Sequence, residues 1–211
     1  MQYNELIADD LLQIQAVILS PDEPFTWASG IQSPVYCDNR LTLAYPAVRD
    51  EVEHAFVSLI RNHYPEAAVI VGTATAGIPH AALVAAEMGL PMAYVRSSSK
   101  NHGRKKQIEG IVELGQKVVV IDDLISTGGS VLTAVNALRE AGADVLGVVA
   151  IFTYLLPQAD RNFAVADVSL QTLTNFNVLI HRAVEKGTIT AAQLDQLKRW
   201  YANPESDGWR Q

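Results

Sequence analysis

The stretch Lys117–Ser130, KVVVIDDLISTGGS, constrains the fold more than any other part of the chain. Val118, Val119, Val120 and Ile121 are consecutive and β-branched, with no polar residue alternating between them, so this strand must be covered on both faces. Two acids and a Ser/Thr/Gly turn follow. Gly129–Ala141 then places Val131, Leu132, Val135 and Leu138 at helical spacing, and Gly142 stands where a helix ends. The same strand–turn–helix rhythm begins earlier. Ala68–Val71 is an apolar run closed by Gly72, Gly77–Glu87 is helical in composition, and Met92–Val95 and Asp144–Thr153 are strand-like. Alternation of this kind predicts an α/β fold, a central and mostly parallel sheet flanked by helices.

Before this core, Ile7, Leu11, Ile14 and Ile18 predict an amphipathic helix over Asn4–Leu19, stopped by Ser20-Pro21-Asp22. Pro24–Asp38 predicts two short strands joined at Ser29-Gly30. Val48, Val52, Phe56, Leu59 and Ile60 mark a second helix, closed by Pro65. After the core, helices are expected from Asn175 and after Thr190, where Thr190 and Gln193 have capping-box spacing. The expected division is a small N-terminal segment, 1–45, and a core with C-terminal helices, 46–211.

With 211 residues, 49% hydrophobic and 18% charged, the chain can bury a core without staples and is not a disordered composition. One cysteine, Cys37, excludes an internal disulfide and multi-cysteine metal sites. The longest apolar run, Val145–Phe152, is strand-sized, far short of a membrane span. Residues 1–5 lack a signal-peptide pattern, so a reducing cytoplasm is the expected compartment. Net charge is −7, unfavourable for general binding to nucleic acid. The charge is uneven, however. Arg96–Lys106, RSSSKNHGRKK, holds five of the 16 Lys and Arg residues and no acid, leaving eleven cations against 23 acids, −12, elsewhere. A cationic segment on an anionic body calls for a small anionic ligand or a local partner.

The turn after Ile121 has the makings of a sugar-phosphate site. Ligands in open α/β sheets sit at the C-terminal ends of parallel strands. Ser126-Thr127-Gly128-Gly129-Ser130, entering a helix, offers backbone amides, hydroxyls and a favourable helix dipole to a phosphate. Asp122 and Asp123 are acceptor-only groups suited to a sugar diol. A Walker loop and a dinucleotide fingerprint are both excluded by spacing. A second strand end, Val71–Pro79 (VGTATAGIP), also runs into small residues at a helix start. From these residues alone, a close-packed turn and an anion-receiving loop are equally good readings. Between the two turns lies the cationic segment Arg96–Gly110, poor in the apolar residues that would bury it and read as a surface loop. Mobile Lys, Arg and His side chains there could close over a leaving group that gains negative charge.

The thirteen residues Val118–Ser130 resemble the phosphoribosyl-diphosphate (PRPP) motif of type I phosphoribosyltransferases. The resemblance implies that family's fold, with a small N-terminal hood. It implies that Asp122 and Asp123 hold the ribose hydroxyls. It also implies that PRPP is bound along Asp122, Asp123, Leu124, Ile125, Ser126, Thr127, Gly128, Gly129 and Ser130, with Ser126–Ser130 around the 5′-phosphate. The loop Thr73, Ala74, Thr75, Ala76 and Gly77 would receive pyrophosphate. Tyr94–Gly110, YVRSSSKNHGRKKQIEG, is similar to the catalytic loop of orotate phosphoribosyltransferases. That likeness makes Arg96, Lys100 and His102 the PRPP and pyrophosphate contacts, and Lys100, His102 and Asp123 the catalytic residues. It also implies a homodimer in which the loop, 96–110, reaches the neighbouring active site.

Pro24–Leu43 resembles the orotate-side hood of the same family, through Thr26, Ser29, Gly30, Ser33, Pro34 and Tyr36. Ala28 stands where some members carry a substrate-contacting lysine, and no arginine lies near Thr153-Tyr154 where some members place one. Orotate recognition is then assigned to Tyr36, Ser126 and backbone amides of the hood. His54, His63, His80 and His181 lack metal-ligand spacing. Magnesium is the expected cofactor, held mainly by substrate and water rather than by protein ligands. The resemblance implies transfer of a phosphoribosyl group from PRPP to orotate in pyrimidine biosynthesis. A purine or uracil salvage transferase and a non-catalytic PRPP-sensing regulator are the alternatives. Neither nucleic acid nor membrane is an expected partner.

Overall fold

The computed structural model describes residues 3–26, 32–96, 107–204 and 207–210. Its elements, in chain order, are α1 (Tyr3–Gln13), β1 (Val17–Leu19), β2 (Phe25–Thr26), β3 (Gln32–Ser33), β4 (Val35–Cys37), a 3-10 helix (Asn39–Ala44), α2 (Pro46–His63), β5 (Val69–Thr73), α3 (Gly77–Met88), β6 (Met92–Val95), β7 (Ile108–Glu109), β8 (Lys117–Ile125), α4 (Gly129–Glu140), β9 (Asp144–Thr153), α5 (Pro157–Val165), β10 (Leu170–Asn175), α6 (Phe176–Glu185) and α7 (Ala191–Ala202). They sort into two compact units, residues 1–49 with 174–211, and residues 50–173.

The second unit is built on a six-stranded sheet of order β10-β9-β8-β5-β6-β7. β6, β5, β8 and β9 run parallel, and β7 is antiparallel to β6 at the edge. This is the mostly parallel α/β architecture expected from the strand–helix rhythm. On one face Val69, Val71, Val118, Val120, Val148 and Ala150 form a buried layer with Val131, Val135 and Leu138 of α4 and Phe163 of α5. Alternation along a strand sends Gly72 to the other face. There, α3 comes so close that a Cβ on Gly72 would lie 2.8 Å from the Gly77 carbonyl oxygen.

In the first unit, the structure corrects the helix expected over Asn4–Leu19. α1 stops at Gln13, because Gln15 adopts φ +57°, a left-handed conformation that no helix continues through. Val17–Leu19 instead forms a strand paired antiparallel with Val35–Cys37. The expected two-stranded hairpin is three short strands, with Phe25 opposite Ser33 and Thr26 opposite Gln32, while the third pairs with β1. Its turn at Ser29-Gly30 lies outside the described residues, as does Ala28. The two C-terminal helices form where expected, from Asn175 and after Thr190. The Asn175 side chain accepts from the Val178 amide at 3.1 Å, and Thr190 and Gln193 close a reciprocal capping box. An ion pair at 2.7 Å ties Arg182 of α6 to Asp9 of α1.

Candidate active site

The connections leaving β5 and β8 diverge, β5 leading through α3 to β6 and β8 through α4 to β9. The C-terminal ends of these two neighbours are therefore the switch point of the sheet, where α/β folds bind ligands. Both glycine-containing turns singled out in the sequence leave from this rim.

β8 does not end at Ile121 as its composition implies. It continues through both acids to Ile125, pairing Asp122 with Ala150 and Ile125 with Thr153 of β9. The pleat separates the two carboxylates. Asp122 is 9% exposed, and Asp123 is half-buried. The Thr73 hydroxyl donates to Asp122 Oδ1 at 2.6 Å, and the Asp123 amide donates to the same oxygen at 3.0 Å. Burial raises the Asp122 pKa above the usual carboxylate value, and these hydrogen bonds act against that rise.

Beyond Ile125 the chain opens to solvent. Ser126, Thr127, Gly129 and Ser130 are exposed, whereas Gly128 is buried. Gly128 is the N-cap of α4, at φ +79°, and no side chain caps the helix there. The first-turn amides are thus left for an external acceptor, with the helix dipole favouring an anion. A Cβ at Gly128 would lie 2.6 Å from the Phe163 ring, so glycine is required by contact as well as by backbone angle. Asn162 donates from Nδ2 to the Thr127 carbonyl at 2.8 Å, holding the turn from α5.

The turn after β5 lies directly against β8. A Cβ on Gly77 would collide with the Ile121 carbonyl oxygen and lie 2.7 Å from Thr73 Oγ1. The Ala74–Thr75 peptide is cis, and the Ala74 amide donates to the Val95 carbonyl at 2.8 Å. Ala76, the N-cap of α3, provides no side-chain cap either. Two uncapped helix starts therefore adjoin one rim.

Thr73, Ala74, Arg96 and Ser130 line one small cavity of about 70 Å³. Arg96 Nη1 is buried there without a hydrogen-bond partner, 3.6 Å from Glu109 Oε1. The structure thus brings together Asp122, Asp123, Thr73–Gly77, Arg96 and the Ser126–Ser130 turn. Leu124 is half-buried and Ile125 fully buried. Tyr36 belongs to the first unit, where it is 42% exposed with its ring centroid 5.5 Å from that of Phe25. Lys100 and His102 lie outside the described residues. Sequence reasoning missed Asn162 and Phe163, which buttress the turn from a helix with no motif of its own. It also missed the Thr73–Asp122 hydrogen bond, for which no spacing gives a signal.

Among the described residues no three His, Cys, Asp or Glu side chains converge to hold a metal ion. The hard-oxygen donors at the rim are the carboxylates of Asp122 and Asp123, the donor chemistry that magnesium accepts beside phosphate oxygens and water. No helix of the described residues is long and apolar enough to cross a membrane.

Residues 42–178 match the model of the phosphoribosyl transferase domain family. Over 200 residues the chain is 61% identical to the orotate phosphoribosyltransferase of Streptococcus pneumoniae serotype 19F (strain G54), covering 95% of each chain. It is 58% identical over 205 residues to the orotate phosphoribosyltransferase of Bacillus subtilis (strain 168), covering 97% of this chain and 95% of the relative. The crystal structure of orotate phosphoribosyltransferase from Aeropyrum pernix superposes with a TM-score of 0.75 at 27% identity, over 87% of this chain and 99% of that one. With this sheet, these two turns and likeness along nearly the whole length, the chain belongs to the orotate phosphoribosyltransferase family, within the type I phosphoribosyltransferases.

Proposed function

We infer that the chain transfers the phosphoribosyl group of PRPP to orotate, giving orotidine 5′-monophosphate and pyrophosphate, in pyrimidine biosynthesis. The observation that carries this reading is the 61% identity to an orotate phosphoribosyltransferase over 95% of both chains. In the reaction a bond forms between an orotate ring nitrogen and ribose C1, the bond from C1 to the pyrophosphate oxygen breaks, and the ring nitrogen gives up its proton. Positive charge develops on the sugar and negative charge on the leaving group, so the protein's work is positioning and electrostatic stabilisation.

In the proposed arrangement Asp122 and Asp123 accept from the ribose hydroxyls. Ser126–Ser130 and the uncapped amides of α4 hold the 5′-phosphate. The Thr73–Gly77 turn and Arg96 receive the pyrophosphate, and Lys100 and His102 complete its charge stabilisation. Ser126, Tyr36 and hood amides orient orotate. A magnesium ion would be held mainly by substrate oxygens and water, beside the Asp122 and Asp123 carboxylates, and when bound it neutralises charge on the diphosphate. The proposed active unit is a cytoplasmic homodimer, with the loop 96–110 of one subunit serving the other.

Loss of orotate absorbance should require both PRPP and magnesium. A parallel panel of uracil, hypoxanthine and guanine should show no turnover; preferred turnover of any of these would replace the assignment with a salvage activity. For the dimer, inactive Lys100→Ala and Asp123→Asn proteins should regain activity on mixing, since one mixed site would then be intact. No regain would confine the loop to its own subunit.

A further inference from the structure

β6, which ends just before Arg96, and β7, Ile108–Glu109, form only a short antiparallel pair, Tyr94 opposite Glu109 and Val95 opposite Ile108. Beyond it the ladder is extended by one residue on each side. The Arg96 amide donates to the Gln107 carbonyl at 3.0 Å, and Gln107 Nε2 donates back to the Arg96 carbonyl at 2.8 Å. Gln107 therefore satisfies both backbone polar groups of Arg96, one with its main chain and one with its side chain. The ladder contact needs only a peptide carbonyl, which any residue supplies. The second contact needs a donor at the end of a side chain of this length.

What this grip aims is a long cation. Arg96 Nη1 is buried without a hydrogen-bond partner, and Arg96 lines the same small cavity as Thr73, Ala74, Ser130 and Gln107. The Glu109 carboxylate, with Oε1 at 3.6 Å, pairs with this charge but is too far for a hydrogen bond, and a phosphate oxygen entering the cavity would supply the missing acceptor. The direction of the guanidinium depends on the backbone from which it starts, and that backbone unit is the one Gln107 holds.

We propose that Gln107 is a positioning residue for PRPP binding, its side-chain amide fixing the Arg96 backbone so that the guanidinium faces the diphosphate. This rests on the reading of Arg96 as a PRPP contact. Gln107→Met keeps the length and removes the donor, leaving the Arg96 carbonyl without this partner. The expected result is a rise of about tenfold in the dissociation constant and KM for PRPP, from loss of one hydrogen bond and exposure of a half-buried acceptor. The KM for orotate, kcat at saturation of both substrates and the melting temperature should stay close to those of the wild type.

The decisive readout is the same substitution in an Arg96→Ala background. There Gln107→Met should cost no further PRPP affinity, because the group it aims is gone. An equal loss in both backgrounds, or a fall in kcat at unchanged PRPP affinity, would overturn the proposal. So would unchanged PRPP affinity in the single variant. If Gln107→Met does not fold, Gln107→Asn, with its amide one methylene short, supplies the same comparison. Absence of PRPP binding by the wild-type protein would instead refute the functional reading itself.

Discussion

Thr73 and Asp122, 49 residues apart in sequence, share a 2.6 Å hydrogen bond that ties the start of the Thr73–Gly77 turn to the acid preceding the Ser126–Ser130 turn. The bond crosses the pair β5–β8, so the two strand ends at the rim hold their register through a side-chain contact as well as through the ladder. It also bears on chemistry. A carboxylate that is to accept from a ribose hydroxyl must be ionised, and burial opposes this.

Thr73→Val should therefore raise the Asp122 pKa further, since burial raises it and the threonine hydroxyl lowers it. The acid limb of kcat/KM for PRPP should move to higher pH. At neutral pH the loss should be about tenfold to a hundredfold, matching a hydrogen bond to a charged group. Rate profiles of the two proteins from pH 5 to 9 test this; an unmoved acid limb would detach Asp122 from substrate binding.

His80 is 2% exposed, with Nε2 unpartnered, and burial pushes its imidazole down to about 4. The unfolded chain takes up a proton near 6.5 that the fold refuses until about 4, so stability is full above the first value and declines as pH falls towards the second. The loss should approach about 3 kcal/mol. Melting temperatures at pH 8 and pH 5 should differ more for the wild type than for His80→Leu, which removes the titration. Equal differences would place the acid sensitivity elsewhere.

Gly77→Ala should displace the start of α3 from β8, because the new methyl meets the Ile121 carbonyl and lies 2.7 Å from the Thr73 hydroxyl. Overpacking of this kind costs about 1–3 kcal/mol of stability. The shifted turn should reduce kcat/KM for PRPP by about a hundredfold. Urea denaturation and steady-state kinetics measure the two effects separately.

Lys100→Ala should lower turnover at saturating PRPP by about 10²–10³, as for loss of a charge-stabilising donor. Full turnover by this variant would remove Lys100 from the reaction.

The sequence disclosed the sheet best where apolar runs are nearly unbroken. Met92–Val95 and Asp144–Thr153 match their strands end to end. It misled where a pattern outlasted its cause. Ile14 and Ile18 extend a helical spacing past Gln15, whose left-handed backbone had already ended the helix. The acids at 122 and 123 look like a strand terminus, yet the main chain goes on pairing to Ile125, since hydrogen bonding of the backbone does not depend on side-chain polarity. Helix α5 went unread because its sequence, PQADRNFAV, buries only Ala159 and Phe163. Both glycine turns were legible from composition, whereas the contacts that brace them, Asn162 to the Thr127 carbonyl and Thr73 to Asp122, join segments far apart in sequence and leave no local trace.

The ring of Phe163 fills the space a methyl group at position 128 would need, and Asn162 beside it grasps the Thr127 carbonyl. The thirteen residues that look like a portable cassette are thus only half of a mould, whose other wall is supplied by a helix encoded well downstream. Grafted alone into a foreign strand–helix unit, VVVIDDLISTGGS would carry its chemistry but not its shape. Transplants should succeed only when the Asn162-Phe163 pair travels with it.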